Sequence, residues 1–150
     1  KPSASPTPTA TPPTKPAGLD ESTPEGAAAF VYYWIDVFNY ANTSGDLAEL
    51  KLISGFECGA CTTAIDMIAE TSEAGGHVSG NEWLARNIQI QPEGDSFFVT
   101  AEIVSDAGVL VESSGASPKR IKPHTSTMFM WADNDGSSWS MTDTGSELEE

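Results

Sequence analysis

The hydrophobic period of this chain changes once, near Gly80, and that change limits the fold more than any other feature. Before it, Phe30, Trp34, Val37, Phe38 and Ala41 recur at spacings of three and four, the signature of a helix with one buried stripe. After it, Phe97, Val99, Ala101 and Ile103 alternate with Phe98, Thr100, Glu102 and Val104, the signature of a strand with one buried face. Helical elements first and strands second predict an α+β domain.

The predicted elements follow from local signals. Ser22-Thr23-Pro24-Glu25 offers a cap, a proline for the first turn and an acid for the positive helix end, so a helix is expected over 27–41. Tyr32, Asp36, Asn39 and Thr43 lie on its other face, flanked by Tyr33 and Tyr40. Asp46 can cap a short second helix with Leu47, Leu50 and Ile53 inward, and a third is expected from Cys58 or Ala60 to Ala74. Cys61, Ile65 and Ile68 form its inner face, and Gly75-Gly76 is its stop. Strands are expected over 83–91, 96–105, 109–113, 125–132 and 138–143, with 114–123 as a loop. The turns 92–95, 106–108 and 133–136 predict antiparallel neighbours. The expected architecture is three N-terminal helices packed on one curved antiparallel sheet of about four to five strands.

Seven of the ten prolines precede residue 25. Repeats such as Ser5-Pro6-Thr7-Pro8-Thr9 favour an extended, polyproline-like spacer. The organisation is therefore read as a Thr/Pro-rich tether over 1–23, one domain over 24–144 and an acidic tail over 145–150. Charges in the tether cancel, so the formal charge of -15 falls on the remainder. Nucleic-acid affinity depends on neutralising phosphate, and this surface repels phosphate. The same charge favours a monomer. No apolar run reaches the roughly 18 residues of a membrane span, and the start at Lys1 without a charged-then-apolar leader reads as a mature form.

A tyrosine-rich helix (Ala28-Ala29-Phe30-Val31-Tyr32-Tyr33-Trp34-Ile35-Asp36), an Asn-Tyr-Ala followed by Gly-Asp, then Glu57-Cys58-Gly59-Ala60-Cys61, Gly75-Gly76 and a Trp before the sheet together resemble an actinobacterial family of lipoproteins of unknown function. The resemblance spans Pro24 to Asp143. It implies a removed signal peptide whose lipid-bearing cysteine preceded the spacer. The domain would then sit outside the cytoplasm, held at the cell membrane facing the wall or secreted. The element order is also similar to the cone-shaped, cystatin-like fold of the nuclear-transport-factor-two-like and polyketide-cyclase-like proteins, which include both enzymes and binding modules.

The two cysteines, Cys58 and Cys61, are three apart, a spacing that places them on one side of a helical turn and permits a bridge. The structural reading is a disulfide at the start of the third helix, suited to an oxidising exterior and worth about 2 kcal/mol for so small a loop. The redox reading invokes thiol activation at a helix start, but no preceding strand forms a thioredoxin-like unit and Glu57 disfavours a thiolate. A zinc site would need two further ligands, and His77 and His124 lack ligand spacing. No metal and no cofactor is expected.

Asp36, between Tyr32 and Tyr40, is a candidate general base inside a cone, against the plainer role of a solvated helix carboxylate. Asp66 on the third helix is open to the same two readings, and His77 is most simply a loop residue. Tyr32, Tyr40, Trp34, Trp83 and Trp131 are candidates to line a pocket. Lys119, Arg120, Lys122 and His124 form a basic patch suited to an anion or a partner. Asp133-Asn134-Asp135-Gly136 resembles the start of a calcium loop, but its twelfth position is Thr144 rather than glutamate, and the segment equally suits a hairpin turn. The leading expectation is a non-enzymatic, lipid-anchored envelope domain that binds a small apolar ligand or an envelope protein. The alternative is a small dehydratase, isomerase or cyclase using Asp36, Asp66 or a histidine. A thiol-redox protein is the third reading.

Overall fold

The structure is a computed structural model and describes residues 11–17, 19 and 21–148. The elements run α1 (Pro24–Ser44), α2 (Ala48–Ile53), α3 (Gly59–Glu73), β1 (Gly75–Gly80), β2 (Trp83–Glu93), β3 (Ser96–Ser105), β4 (Gly108–Ser113), β5 (Lys119–Ile121), β6 (His124–Asn134) and β7 (Trp139–Leu148). Residues 1–10, 18 and 20 of the tether and the last two residues of the acidic tail lie outside the described residues. Ordered contacts begin before Pro24, where Leu19 packs against the core and the Lys15 ammonium is 4.0 Å from Glu49. At the other end, β7 continues through 145–148.

The caps of α1 follow from its sequence. Thr23 is extended and its hydroxyl accepts the Gly26 N–H at 3.0 Å, with Pro24 next and Glu25 in the first turn. The helix stops at Gly45, which takes φ 77° and returns its N–H to Ala41 O at 2.8 Å, a left-handed conformation that suits glycine. Ten of its 21 residues are buried, more than a single stripe. The helix contacts α2 and three strands of both sheets, β1, β2 and β3.

Seven strands form two antiparallel sheets, β2-β3-β6-β7 and β1-β4-β5, which overturns the expectation of one curved sheet of four to five strands. The two meet at a corner where three successive antiparallel paths change sheet together: Asn81-Glu82, Asp106-Ala107 and Lys122-Pro123. Backbone bonds cross it, from Asn81 N–H to Ala107 O at 3.1 Å and from Asp106 N–H to Glu82 O at 3.3 Å. The Asp106 carboxylate also accepts the Glu82 N–H at 2.7 Å. Asn81 takes φ 54°, and a Cβ on Gly108 would lie 2.6 Å from the Asn81 Cβ. The corner therefore requires glycine there and a residue tolerant of positive φ opposite. Bends of this kind let strands pass from one sheet to another.

The corner explains the missed strands. Asp106-Ala107-Gly108 reads as a tight hairpin, but β3 pairs with β6 and β4 pairs with β1 and β5. Gly75-Gly76 reads as a helix stop and His77 as a loop residue because Gly75 to Gly80 has no alternating apolar row, yet this segment is β1 and pairs with β4 through its backbone. The three residues of β5 lie within a polar segment that reads as loop.

The core lies between α1 and the inner face of the larger sheet. Val99, Ala101 and Ile103 of β3 and Met128, Met130 and Ala132 of β6 face the helix, joined by Trp139 and Met141 of β7. Phe30 stacks on Trp139 with centroids 5.7 Å apart, and Trp139 meets Phe97 at 5.4 Å. The α2–α3 link is tied to β7 by Gly55 N–H to Met141 O at 2.8 Å. Phe30→Ala removes the ring that joins helix to sheet and is expected to cost about 3–5 kcal/mol. Tyr32→Ala, at a position 47% exposed, is expected to cost under about 1 kcal/mol. Urea unfolding of the two variants checks this contrast.

Candidate functional site

One gap between the helices and the larger sheet is set by side-chain size. Trp34 and Phe38 are one turn apart on α1 with near-parallel rings 5.7 Å apart. Trp83, at the start of β2, sits 4.4 Å from Phe38. Opposite these rings α3 presents only Ala60 and Ala64, and β7 contributes Thr144, Gly145 and Ser146, so large groups on one wall face small ones on the other. The result is a cleft of about 200 Å³, whose floor includes Ile103 and Met128 and whose rim includes Ser126 and His124.

Three local devices fix the cleft walls. The Asn39 side chain clamps Trp83 on both backbone sides, donating to Trp83 O and accepting from Trp83 N–H, each at 2.9 Å. The Trp34 indole donates to Ser54 Oγ at 3.0 Å, which satisfies its polar edge away from the cleft. On the far wall, Cys58 and Cys61 stand at disulfide distance, S–S 2.04 Å, and both are fully buried. Cys58 caps α3, with its sulfur accepting the Cys61 N–H at 3.2 Å, so the bridge holds the turn that carries Ala60. Burial of both sulfurs shields them from attacking thiolates.

At the rim, the His124 ring is held from beneath. Its Nδ1 lies 2.9 Å from the buried Ser105 hydroxyl and 3.4 Å from Lys122 O, and the Ser105 hydroxyl is 3.3 Å from His124 O. A carbonyl only accepts, so we assign the proton to Nδ1, with Ser105 donating to the His124 carbonyl. In the neutral ring, Nε2 is then free to accept.

Of the five pocket candidates, Trp34 and Trp83 meet in this cleft. Tyr32 is exposed on α1, and Tyr40 donates to Asp46 at 3.0 Å. Trp131 lies on the outer face of the sheet beside Phe98, centroids 4.7 Å apart. Asp36 sits in a separate open hollow with Asn39, Tyr40, Thr43 and Glu82, against Thr11 and Pro13. Partial loss of water there raises its carboxyl above the ordinary value. Asp66 is exposed on α3. His77 is exposed on β1 at a different cavity, shared with Asn42, Met67 and Leu110. The cleft lining thus holds one histidine and hydroxyls but neither candidate carboxylate.

In the basic patch, Lys119 is paired with Glu112, and Arg120 and Lys122 are exposed. Asp133 and Asn134 end β6, and in the turn that follows the Asp135 carboxylate accepts the N–H groups of Ser137 and Ser138 at 2.9 Å. Those bonds, the Ser137 one first, lower its pKa. Among the described residues no cluster of three His, Cys, Asp or Glu side chains is placed to hold a metal.

Sequence reasoning missed Asn39, Ala60, Ala64, Ser105, Ser126 and the β7 residues of the cleft. One signal for them is present. The inner row of β3 runs Phe97, Val99, Ala101, Ile103 and then Ser105, and that of β6 runs from Ser126 to Met128, Met130 and Ala132. A polar residue at the end of a buried apolar row marks where the core opens.

Helices held by bent antiparallel sheets, with a cleft between them, define a cystatin-like α+β domain. The chain belongs to a family of unknown function, DUF6318, which matches residues 3–145. Several solved structures share the fold, among them these two. One is the intermembrane space region of chloroplast protein ARC6, 14% identical, matched over 85% of this chain and 98% of that one with a TM-score of 0.64. The other is an uncharacterized protein with a cystatin-like fold from Caulobacter vibrioides, 9% identical over 84% of this chain and 91% of that one, TM-score 0.54. At such identities the likeness is one of fold. No curated protein matches the chain.

Desolvation makes a pH prediction at Asp36. A carboxyl whose folded pKa is raised contributes stability below the ordinary carboxylate range, about pH 4, and loses it as pH rises through the folded pKa. Asp36→Asn is therefore expected to match or exceed the parent in stability at pH 7, by under about 1 kcal/mol because the site is largely solvated. The difference is expected to vanish below about pH 4. Thermal unfolding of both proteins across pH 3–8 checks the sign.

Proposed function

We propose that this chain is an extracytoplasmic, lipid-anchored cell-envelope domain, actinobacterial in type, that acts as a non-catalytic binding module. Its cleft takes a small apolar ligand between α1, α3 and the larger sheet. The observation that carries the reading is the cleft itself: three aromatic rings, two of them set by dedicated hydrogen bonds, face a wall of alanines and glycine and leave space unfilled. Protein interiors are ordinarily packed to crystal density, and an apolar cleft with a few polar groups at its rim is the usual form of a small-molecule site. The separation of Asp36 and Asp66 from that space favours binding over the acid–base alternative. Burial of both sulfurs favours a structural bridge over redox exchange.

The compartment rests on other features. A Thr/Pro-rich segment suits a spacer that holds a domain off a surface, and a disulfide suits an oxidising compartment. Among the described residues no helix is long and apolar enough to cross a membrane; the attachment proposed is a lipid ahead of the spacer. The ARC6 neighbour, an intermembrane space region, supplies a case of this fold outside a cytoplasm.

Two experiments test the reading. The neutral fluorophore N-phenylnaphthylamine is expected to brighten on binding the parent, and Ala64→Trp, which fills the cleft from the α3 wall, is expected to weaken binding at least about tenfold, near 1.4 kcal/mol. Equal binding by both proteins would overturn the cleft assignment. For the anchor, the protein expressed with its native leader is expected to enter the detergent phase on Triton X-114 partitioning. Recovery wholly in the aqueous phase would exclude it.

A further inference from the structure

We infer that the ligand of this cleft is a single-chain amphiphile with an anionic head, its tail among Trp34, Phe38 and Trp83 and its head on Arg120 and Lys122, beside His124. The inference rests on the cleft reading above and adds the head group to it. His124 is the link, because it belongs both to the rim of the apolar space and to the one dense run of positive residues in the chain. Three of the seven Lys and Arg residues fall within Lys119–Lys122. Two features make this run available to a ligand. Lys119 is used by Glu112, but among the described residues no ion pair engages Arg120 or Lys122. Asp106, at the same corner, directs a carboxylate oxygen to the Glu82 N–H.

The backbone at the corner brings this run next to His124. His124 pairs with Ser105 at the open end of the larger sheet, and Lys122 lies between β5 and β6, its carbonyl 3.4 Å from His124 Nδ1. An arginine fork and an ammonium suit a carboxylate or phosphate head. The net charge of -15 would repel an anion at long range, but screening limits that field to about 8 Å at physiological ionic strength. At contact, the local cations decide. A neutral apolar ligand would fill the same space without using them.

Calorimetric titration of the folded protein with octanoate, 1-octanol and inorganic phosphate tests this, alongside the variant Arg120→Gln/Lys122→Gln, whose changes are on exposed side chains. Octanoate is expected to bind the parent about tenfold more tightly than octanol, and the variant to lose that advantage while binding octanol as before. Equal binding of octanoate and octanol, unaltered in the variant, overturns the anionic head and leaves the cleft reading intact. Phosphate binding as tightly as octanoate overturns the inference in favour of a tail-independent anion site. Binding of neither octanoate nor octanol overturns the cleft reading and this inference with it.

Discussion

The structure depends on the burial of α1 against a sheet system that turns a corner around it. A helix on a flat sheet buries one stripe, whereas here Val31 and Ile35 are buried as fully as Phe30 and Trp34. That requires protein on more than one side, which the second sheet supplies through β1. The corner is therefore a condition for burying this helix. Fully burying an aliphatic or aromatic side chain contributes about 1.5–3 kcal/mol, so a helix with this many buried apolar residues can offset the backbone conformations that the corner imposes at Asn81 and Gly108.

The cleft follows from the same arrangement. Where α1 carries Phe30, the sheet answers with Trp139 and the space is filled. One and two turns later α1 carries Trp34 and Phe38, but α3 answers with Ala60 and Ala64, and the space stays open. The disulfide lies beside this mismatch and fixes the turn that brings the small residues forward. The Asn39 clamp does the same for Trp83 on the other side. Structure spent on holding the walls of a gap apart is more readily explained by a ligand than by core packing.

Much of this was legible in the sequence, and the illegible parts share a cause. The N-terminal cap of α1 was readable because Thr23 and Pro24 act through contacts within a few residues. β3 and β6 were readable because one face of each is buried, which imposes alternation. β1 and β5 were not, since Gly-Gly-His-Val-Ser-Gly and Lys-Arg-Ile pair through backbone groups that any residue carries. The sheet corner was hidden for a related reason: Asp106-Ala107-Gly108 has the composition of a hairpin turn, and only the register of β4 on β1 shows that the chain crosses sheets there. In the cleft, the tryptophans were legible as residue types but not as a pair. Trp34 and Trp83 meet through a clamp between positions 39 and 83, and nothing local to either ring encodes it. Asp36 illustrates the reverse, since its spacing with Tyr32 and Tyr40 was real but marks the outer face of the helix.

The distribution of charge bears on what such a domain can hold. An acidic surface discourages association with anionic polymers and with copies of itself, and exposed charges of one sign scattered over it give little specificity. A compact run of opposite charge on such a surface differs in kind, because its field is local and its neighbours cannot neutralise it without an ion pair. Lys119 has one in Glu112, whereas Arg120 and Lys122 have none among the described residues. The Lys122 carbonyl lies 3.4 Å from the His124 ring, so the run adjoins a residue of the cleft rim. Each feature alone admits a bland account, as a solvated loop or a packing defect. Together they suit the amphiphile proposed above, whose two chemically different ends match the two features.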